Sequence, residues 1–282
     1  MLGLMKEKVE QQVKHASRED VLLLRYNEAK DNPNNLSFWY PKVNKGLEQT
    51  DVNIRVPYTE IEEFPFELYK MVFNSDFSLD TANAIENYFT SKKGEFIEDM
   101  GGEYFIKTGV YSDKFNFSTP HMVEGDSLGV SIMNLIHNSM VVGAPFSPEI
   151  AFRQFVYSDE DTIYEGMPLR TEFRVFYDFD EKKVLGIANY WHPDYMIGSG
   201  RLSERDLTVY KANQERLLSE YELHKVGVVT SVDELCENID LTGKWSVDIM
   251  YEEGSYWLID MALMHQSALI DVMEELSDSR QG

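Results

Sequence analysis

The stretch WSVDIMYEEGSYWLIDMA, residues 245–262, decides how the rest of the chain is read. Two runs rich in aromatic and branched residues flank Glu252-Glu253-Gly254-Ser255, the pattern of a β-hairpin turning near Gly254. Positions 248 and 260 are equidistant from 254, so a symmetric hairpin sets Asp248 opposite Asp260 on one face. Alternation sends Trp245, Val247, Ile249 and Tyr251 to the other face, as a core-facing set. Like charges directly opposed destabilise a sheet unless a cation lies between them. A hard cation such as Mg2+, bound through carboxylates and phosphate oxygens, is one solution. A solvated face of an acidic protein, or a bulge that separates the pair, is the competing reading.

Working outward, TEFRVFYD (171–178) and KVLGIANYW (183–191) form a second hairpin, with Glu172 and Arg174 on one face and Phe173, Val175 and Tyr177 on the other. That face is either half-exposed sheet or the wall of a cleft, where the Arg174 guanidinium suits phosphate. Further strands read at EYFIK (103–107) and IAFRQFVY (150–157). Helices read from Ser78 to Gly94, near 127–140 and over about 203–222, with a short one opened by the capping-box spacing of Ser231 and Glu234. Leu2, Met5, Val9 and Val13 mark a helical stripe, and Asp20 to Arg25 reads as a short buried strand. Residues 36–75, with Pro41, Pro57 and Pro65, show little periodicity. Strands arriving as adjacent hairpins, without crossover helices, predict an antiparallel α+β fold.

The 282 residues include 26 Lys plus Arg against 49 Asp plus Glu, a net charge of −23. A surface this negative repels phosphate backbones, which argues against nucleic-acid and anionic-membrane binding. An apolar fraction of 43% excludes a disordered acidic chain. No apolar run approaches the ~20 residues of a membrane span, and MLGLMKEKVEQQVK lacks a signal-peptide core. The expectation is a soluble, cytoplasmic protein. The single Cys236 excludes an internal disulfide framework and a Cys-rich zinc site. His121, His137, His192 and His265 form no H-E-x-x-H, and G-x-S-x-G, Walker A, Rossmann and K-x-D-G signatures are all missing. Tyr190, Trp191 and His192 read as a core-edge cluster or a pocket wall. Lys107 ends an apolar strand before the loop Thr108 to Lys114, either to hold phosphate or as the first solvated residue.

In chain order, FIK (105–107), FRQFV (152–156), LRTEFRVF (169–176), WSVDIM (245–250) and WLIDMA (257–262) resemble the ATP-grasp superfamily. More closely, they are similar to the eukaryotic cell-division-cycle-123 family and to a related clade of phage and bacterial ATP-grasp proteins named for two arginines and a lysine. SFWYPKV (37–43) is similar to a segment near that family's N-terminus, so the resemblance covers most of the chain. It implies an α+β ATP-grasp fold, two lobes of antiparallel sheet with packed helices and ATP between them. The implied division is an N-terminal α/β region (1–75), an N-terminal lobe with the phosphate lysine and hinge (76–157), and a C-terminal lobe with the metal-binding hairpin (158–282).

The resemblance also implies roles. Lys107 reaches ATP phosphates, Lys114 sits in the loop covering them, and Arg153, Gln154, Phe155 and Val156 form the hinge whose backbone reads adenine. Arg174 faces the phosphates with Arg170 as its companion, and Asp248 and Asp260 hold Mg2+. Two positions depart from the family pattern: Phe115 stands where an Asp follows the loop lysine, and Ala262 where an Asn completes the metal site. Gln266 or His265 is the candidate substitute for that Asn. The implied activity is ligation of a carboxylate, peptide-like or amino-acid, to an amine through an acylphosphate. The alternative is an ATP-binding assembly chaperone with little turnover, its acidic surface suited to a basic protein partner and Phe38, Trp39 and Tyr40 either a contact patch or buried. A third reading is a folded protein whose nucleotide site has decayed.

Overall fold

The computed structural model describes residues 17–198, 200 and 202–275, and the Leu2 to Val13 stripe lies outside them. Ser17 and Asp20 exchange side-chain and backbone hydrogen bonds, a capping box that opens α1 (Arg18–Lys30). The strand expected over Asp20 to Arg25 is therefore helix. Leu22 and Tyr26, four apart, share its buried face, and a four-residue apolar run has no period with which to tell the two apart. Next come α2 (Leu36–Leu47), β1 (Ile54–Arg55), β2 (Thr59–Glu63) and α3 (Phe66–Phe73). Helix α4 (Leu79–Asp99) is capped by Ser78 and runs on past Gly94.

Then follow β3 (Tyr104–Thr108), β4 (His121–Met122), α5 (Leu128–Val141), β5 (Glu149–Gln154), β6 (Thr162–Ile163), β7 (Met167–Pro168), β8 (Glu172–Asp178), β9 (Lys183–Asn189) and α6 (Pro193–Gly198). Helix α7 (Glu204–Cys236) is one rod of 33 residues, not the two helices expected. Val228, Val232 and Leu235 carry its buried stripe straight through Ser231, which is mid-helix and caps nothing. The last strands are β10 (Lys244–Glu252), β11 (Ser255–Leu263) and β12 (Glu274–Glu275).

The architecture is α+β. One sheet has the order β2-β5-β3-β4, and a larger one β1-β11-β10-β8-β9-β12. All pairs in them are antiparallel except β1 with β11. Ile85, Phe89 and Phe96 of α4 and Ile132 and Ile136 of α5 pack on Ile106, Ile150 and Phe152 of the smaller sheet. Tyr221, Val228 and Val232 of α7, with Trp39 and Val43 of α2, pack on Phe173, Val175, Trp245, Val247 and Ile249 of the larger. Trp39 is fully buried, while Phe38 is partly exposed and stacks on Trp245. Residues 17–75 are shared between the two sheets, since β1 extends the larger and β2 the smaller.

The β10–β11 hairpin turns through Glu253 (φ 47°) and Gly254 (φ 76°), two left-handed residues as in a type I′ turn. Pairing from Glu252↔Ser255 to Ile249↔Leu258 then centres half a residue before Gly254, and straight continuation would set Asp248 opposite Ile259. A bulge shifts the register by one, and Asp248 pairs with Asp260. The two aspartates do oppose each other, but only because Ile259 is the extra residue.

Candidate functional site

Strand alternation leaves two polar faces turned toward each other. With Ile106 and Phe152 packed under the helices, β3 and β5 present Phe105, Lys107 and Arg153 on the opposite face. From the larger sheet Glu172, Arg174, Asp248 and Asp260 project on the side away from α7. A cavity of about 300 Å³ lies between, and its wall includes Lys107, Lys114, Arg153, Gln154, Phe155, Val156, Arg170, Arg174, Asp248 and Asp260. All ten residues singled out in the sequence thus line one cleft.

Arg174, Asp248 and Asp260 stand in a row across three neighbouring strands. The Arg174 guanidinium donates to both oxygens of Asp248, each at 2.7 Å. Burial works against its charge, but Asp248, together with Tyr190 and Asp260, outweighs burial and holds the arginine pKa above its usual value. Lys107, 1% exposed, reaches over from the smaller sheet and donates to Asp260 Oδ1 at 2.9 Å. Burial draws the Lys107 pKa down even against the pull of Asp260. The cation demanded by two facing carboxylates is here supplied by the chain's own Arg174 and Lys107. Lys114 enters from the loop after β3, donates to the Tyr190 phenol oxygen and lies 3.8 Å from the centre of that ring. Burial opposes its charge, but Tyr190, Glu172 and Asp248 outweigh it and raise the pKa.

The two remaining arginines of the cleft, Arg153 and Arg170, each donate to a backbone carbonyl through the side chain. Arg153 donates to Thr59 Oγ1 at 3.1 Å and to the carbonyl of the bulge residue Ile259 at 2.6 Å, while its Nη2 is buried without a partner. Arg170 donates to the Val156 carbonyl and lies 3.0 Å from Glu252 Oε2. It therefore lies at the end of the cleft lined by Val156, while Arg174 pairs with Asp248.

Three features carried no role in the sequence reading. Glu172 is 7% exposed, lines the cleft, and has no hydrogen bond or ion pair to its carboxylate among the described residues. Burial raises its pKa against the pull of Lys114, Arg170 and Arg174. Its only sequence signal is the alternation that puts it on the face of Arg174. The loop bearing Lys114 is pinned at Asp113 (φ 49°), which accepts from Tyr111 Oη and from Asn138 Nδ2, each at 2.7 Å. At the start of that loop Gly109 donates to Ser147 Oγ at 3.1 Å, and a Cβ there would sit 2.4 Å from Glu149 Oε1. That same oxygen accepts from the Ser37 amide in the first turn of α2.

Other expected residues lie elsewhere. Gln266 accepts from Asn34 Nδ2 at 2.6 Å and lies 3.3 Å from His265, and neither is among the residues lining the cleft. His121 packs against Phe155 at a tilt, His137 meets Phe77 edge-to-face, and His192 lies 3.9 Å from Asp194. Tyr190 lines the cleft, whereas Trp191 is buried and donates to the Arg170 carbonyl. Among the described residues no group of three or more His, Cys, Asp or Glu side chains is placed to hold a metal ion. Asp248 and Asp260 nonetheless suit Mg2+, which is bound through one or two carboxylates with substrate phosphates and water filling its octahedron. No helix among the described residues is long and apolar enough to cross a membrane.

In fold the chain is similar to Cdc123 and to ATP-grasp enzymes. The C-terminally truncated Cdc123 of Schizosaccharomyces pombe matches at 14% identity and a TM-score of 0.48, over 86% of this chain and 90% of that one. An ATP-grasp RimK domain protein from Sphaerobacter thermophilus matches at 12% identity and 0.37, over 83% of this chain and 61% of that one. D-alanine–D-alanine ligase from Bacillus anthracis, complexed with ATP, matches at 12% and 0.38, over 82% of this chain and 53% of that one. No protein-family model matches the chain, and no curated protein is similar to it in sequence.

Proposed function

We propose that the protein is an ATP- and Mg2+-dependent ATP-grasp protein that joins a carboxylate to an amine through an acylphosphate. The observation that carries this reading is the single cleft in which Lys107, Lys114 and Arg174 gather around Asp248 and Asp260, next to an apolar wall that includes Phe105, Phe155 and Met250. Cations of this kind neutralise a triphosphate, the carboxylate pair suits its divalent ion, and the apolar end suits a base. Glu172, buried in the cleft wall with no hydrogen bond to its carboxylate among the described residues, offers an acceptor for ligand hydroxyls. The division into an N-terminal lobe that ends at residue 157 and includes the hinge at 153–156, and a C-terminal lobe from residue 158, belongs to the same proposal.

In the reaction a substrate carboxylate oxygen attacks the γ-phosphorus and ADP leaves. The amine then attacks the acyl carbon and phosphate leaves. Neither step needs a side-chain nucleophile, which agrees with a cleft that holds no Ser–His or Cys–His pair. Asp248 and Asp260 would hold Mg2+, which would supply charge neutralisation to the phosphates. Lys107 and Arg174 hold the phosphoryl oxygens in line and stabilise the charge that develops on them.

A second reading, an ATP-binding assembly factor with little turnover, is favoured by two observations. Ala262 offers no metal-ligating atom in its side chain, and a net charge of −23 suits a basic partner. Calorimetric titration of ATP with and without Mg2+ tests the shared core of both readings. Absence of binding in both conditions rejects the nucleotide site. ADP release that depends on added carboxylate and amine supports the ligase, and Mg2+-dependent binding without such release supports the assembly factor.

A further inference from the structure

The buried cations of the cleft are already engaged. The Lys107–Asp260 contact, at 2.9 Å, runs from the smaller sheet to the larger. Beside it Arg153, on the same face as Lys107, donates to the carbonyl of Ile259, the residue before Asp260. Arg174 covers both oxygens of Asp248. Each carboxylate suited to a divalent cation is thus neutralised by a side chain suited to phosphate, and no third acidic, His or Cys ligand joins the pair among the described residues. A metal ion arriving alone has to displace a buried ammonium and leave it without a counter-ion, which is costly in a desolvated site. A polyphosphate removes that obstacle, because its oxygens take over Lys107 and Arg174 and release both aspartates.

We propose that Lys107 is an internal counter-ion that keeps the Asp248–Asp260 pair from binding a divalent cation until a polyphosphate takes the lysine. This rests on the nucleotide reading above. It orders the events: metal enters with the phosphate or after it, and until then the Lys107–Asp260 contact ties the two sheets together across the cleft.

The test uses Mn2+ alone as probe, its free concentration read by electron paramagnetic resonance. The proteins are wild type, Lys107→Met, Lys107→Gln and the double variant Lys107→Met with Asp260→Asn, each checked for an intact thermal transition. Without nucleotide, both lysine variants are expected to bind one Mn2+ on the order of tenfold more tightly than wild type, or more, and the double variant to lose the gain. Wild type is expected to show a comparable gain when a non-hydrolysable ATP analogue is added. Equal nucleotide-free affinity in wild type and both lysine variants overturns the proposal, as does a gain that survives Asp260→Asn. Failure of wild type to bind the analogue at all overturns the nucleotide reading instead, and the nucleotide-free titration still decides whether Lys107 masks the aspartates.

Discussion

Asp260 and Glu172 are both cleft carboxylates, and their environments separate their roles. The Asp260 side chain is 37% exposed and paired with Lys107, so Asp260→Asn keeps an acceptor for the lysine and is expected to leave the fold intact. Mg2+-dependent ATP affinity should fall about tenfold or more, ~1.4 kcal/mol, by calorimetry; unchanged affinity removes the metal assignment. Glu172 is buried and has its pKa raised. The folded state therefore holds that proton more tightly than the unfolded chain does, and stability is lost as pH rises from the ordinary carboxylate range through the raised value. Glu172→Gln, which cannot ionise, should raise the melting temperature of the ligand-free protein, by more at pH 8 than at pH 5. A difference that stays constant between those pH values would show that Glu172 carries no such penalty.

At the scale of elements, the bulge in β11 and the loop after β3 position the site. Deleting Ile259 would carry the turn-proximal register straight through to Asp248 opposite Asp260, so the sheet should still form. The carbonyl that anchors Arg153 is lost, with an expected cost of about 1–3 kcal/mol for a buried donor left unsatisfied, measurable by denaturant unfolding. Two glycines provide a contrast. Gly109→Ala drives a methyl against Glu149, Ser147 and Asn35, at an expected cost of roughly 1–3 kcal/mol with weaker ATP binding. Gly94→Ala, in the interior of α4 with open space around it, should stabilise by about 0.5–1 kcal/mol. Equal effects from the two in thermal melts would refute the cradle around Gly109.

Over the whole molecule, a charge of −23 surrounds a cleft whose own cations are locally paired. Long-range repulsion of an anionic ligand is screened by salt, whereas the short contacts of the cleft are not. The association rate of MgATP is therefore expected to rise from low to physiological ionic strength in stopped-flow measurements. A falling rate would mean that the cleft's cations, not the acidic surface, govern approach.

Much of this was legible in the sequence because it depends on periods and local signals. The two-residue alternation of 245–251 and 171–178 separates a core face from a polar face, and Asp248, Glu172 and Arg174 fall on the polar one wherever those strands pair. The cap at Ser78 and the turn at Gly254 are likewise written in a few adjacent residues. What lacked a local signal was read less well. Asp20 to Arg25 is too short to show its period, and Ser231 with Glu234 mimics a cap inside an uninterrupted helix. The sequence by itself determined the strands β3, β5 and β8 to β11 that wall the cleft, their faces and the identities of the charged side chains. Only the tertiary structure decided that Lys107 meets Asp260 and Arg174 meets Asp248, that Arg170 turns to the Val156 carbonyl, and that the bulge at Ile259 brings the aspartates into register. Those pairings join residues far apart in the chain, and they are selected by the cost of burying a charge without its partner, which no local spacing records.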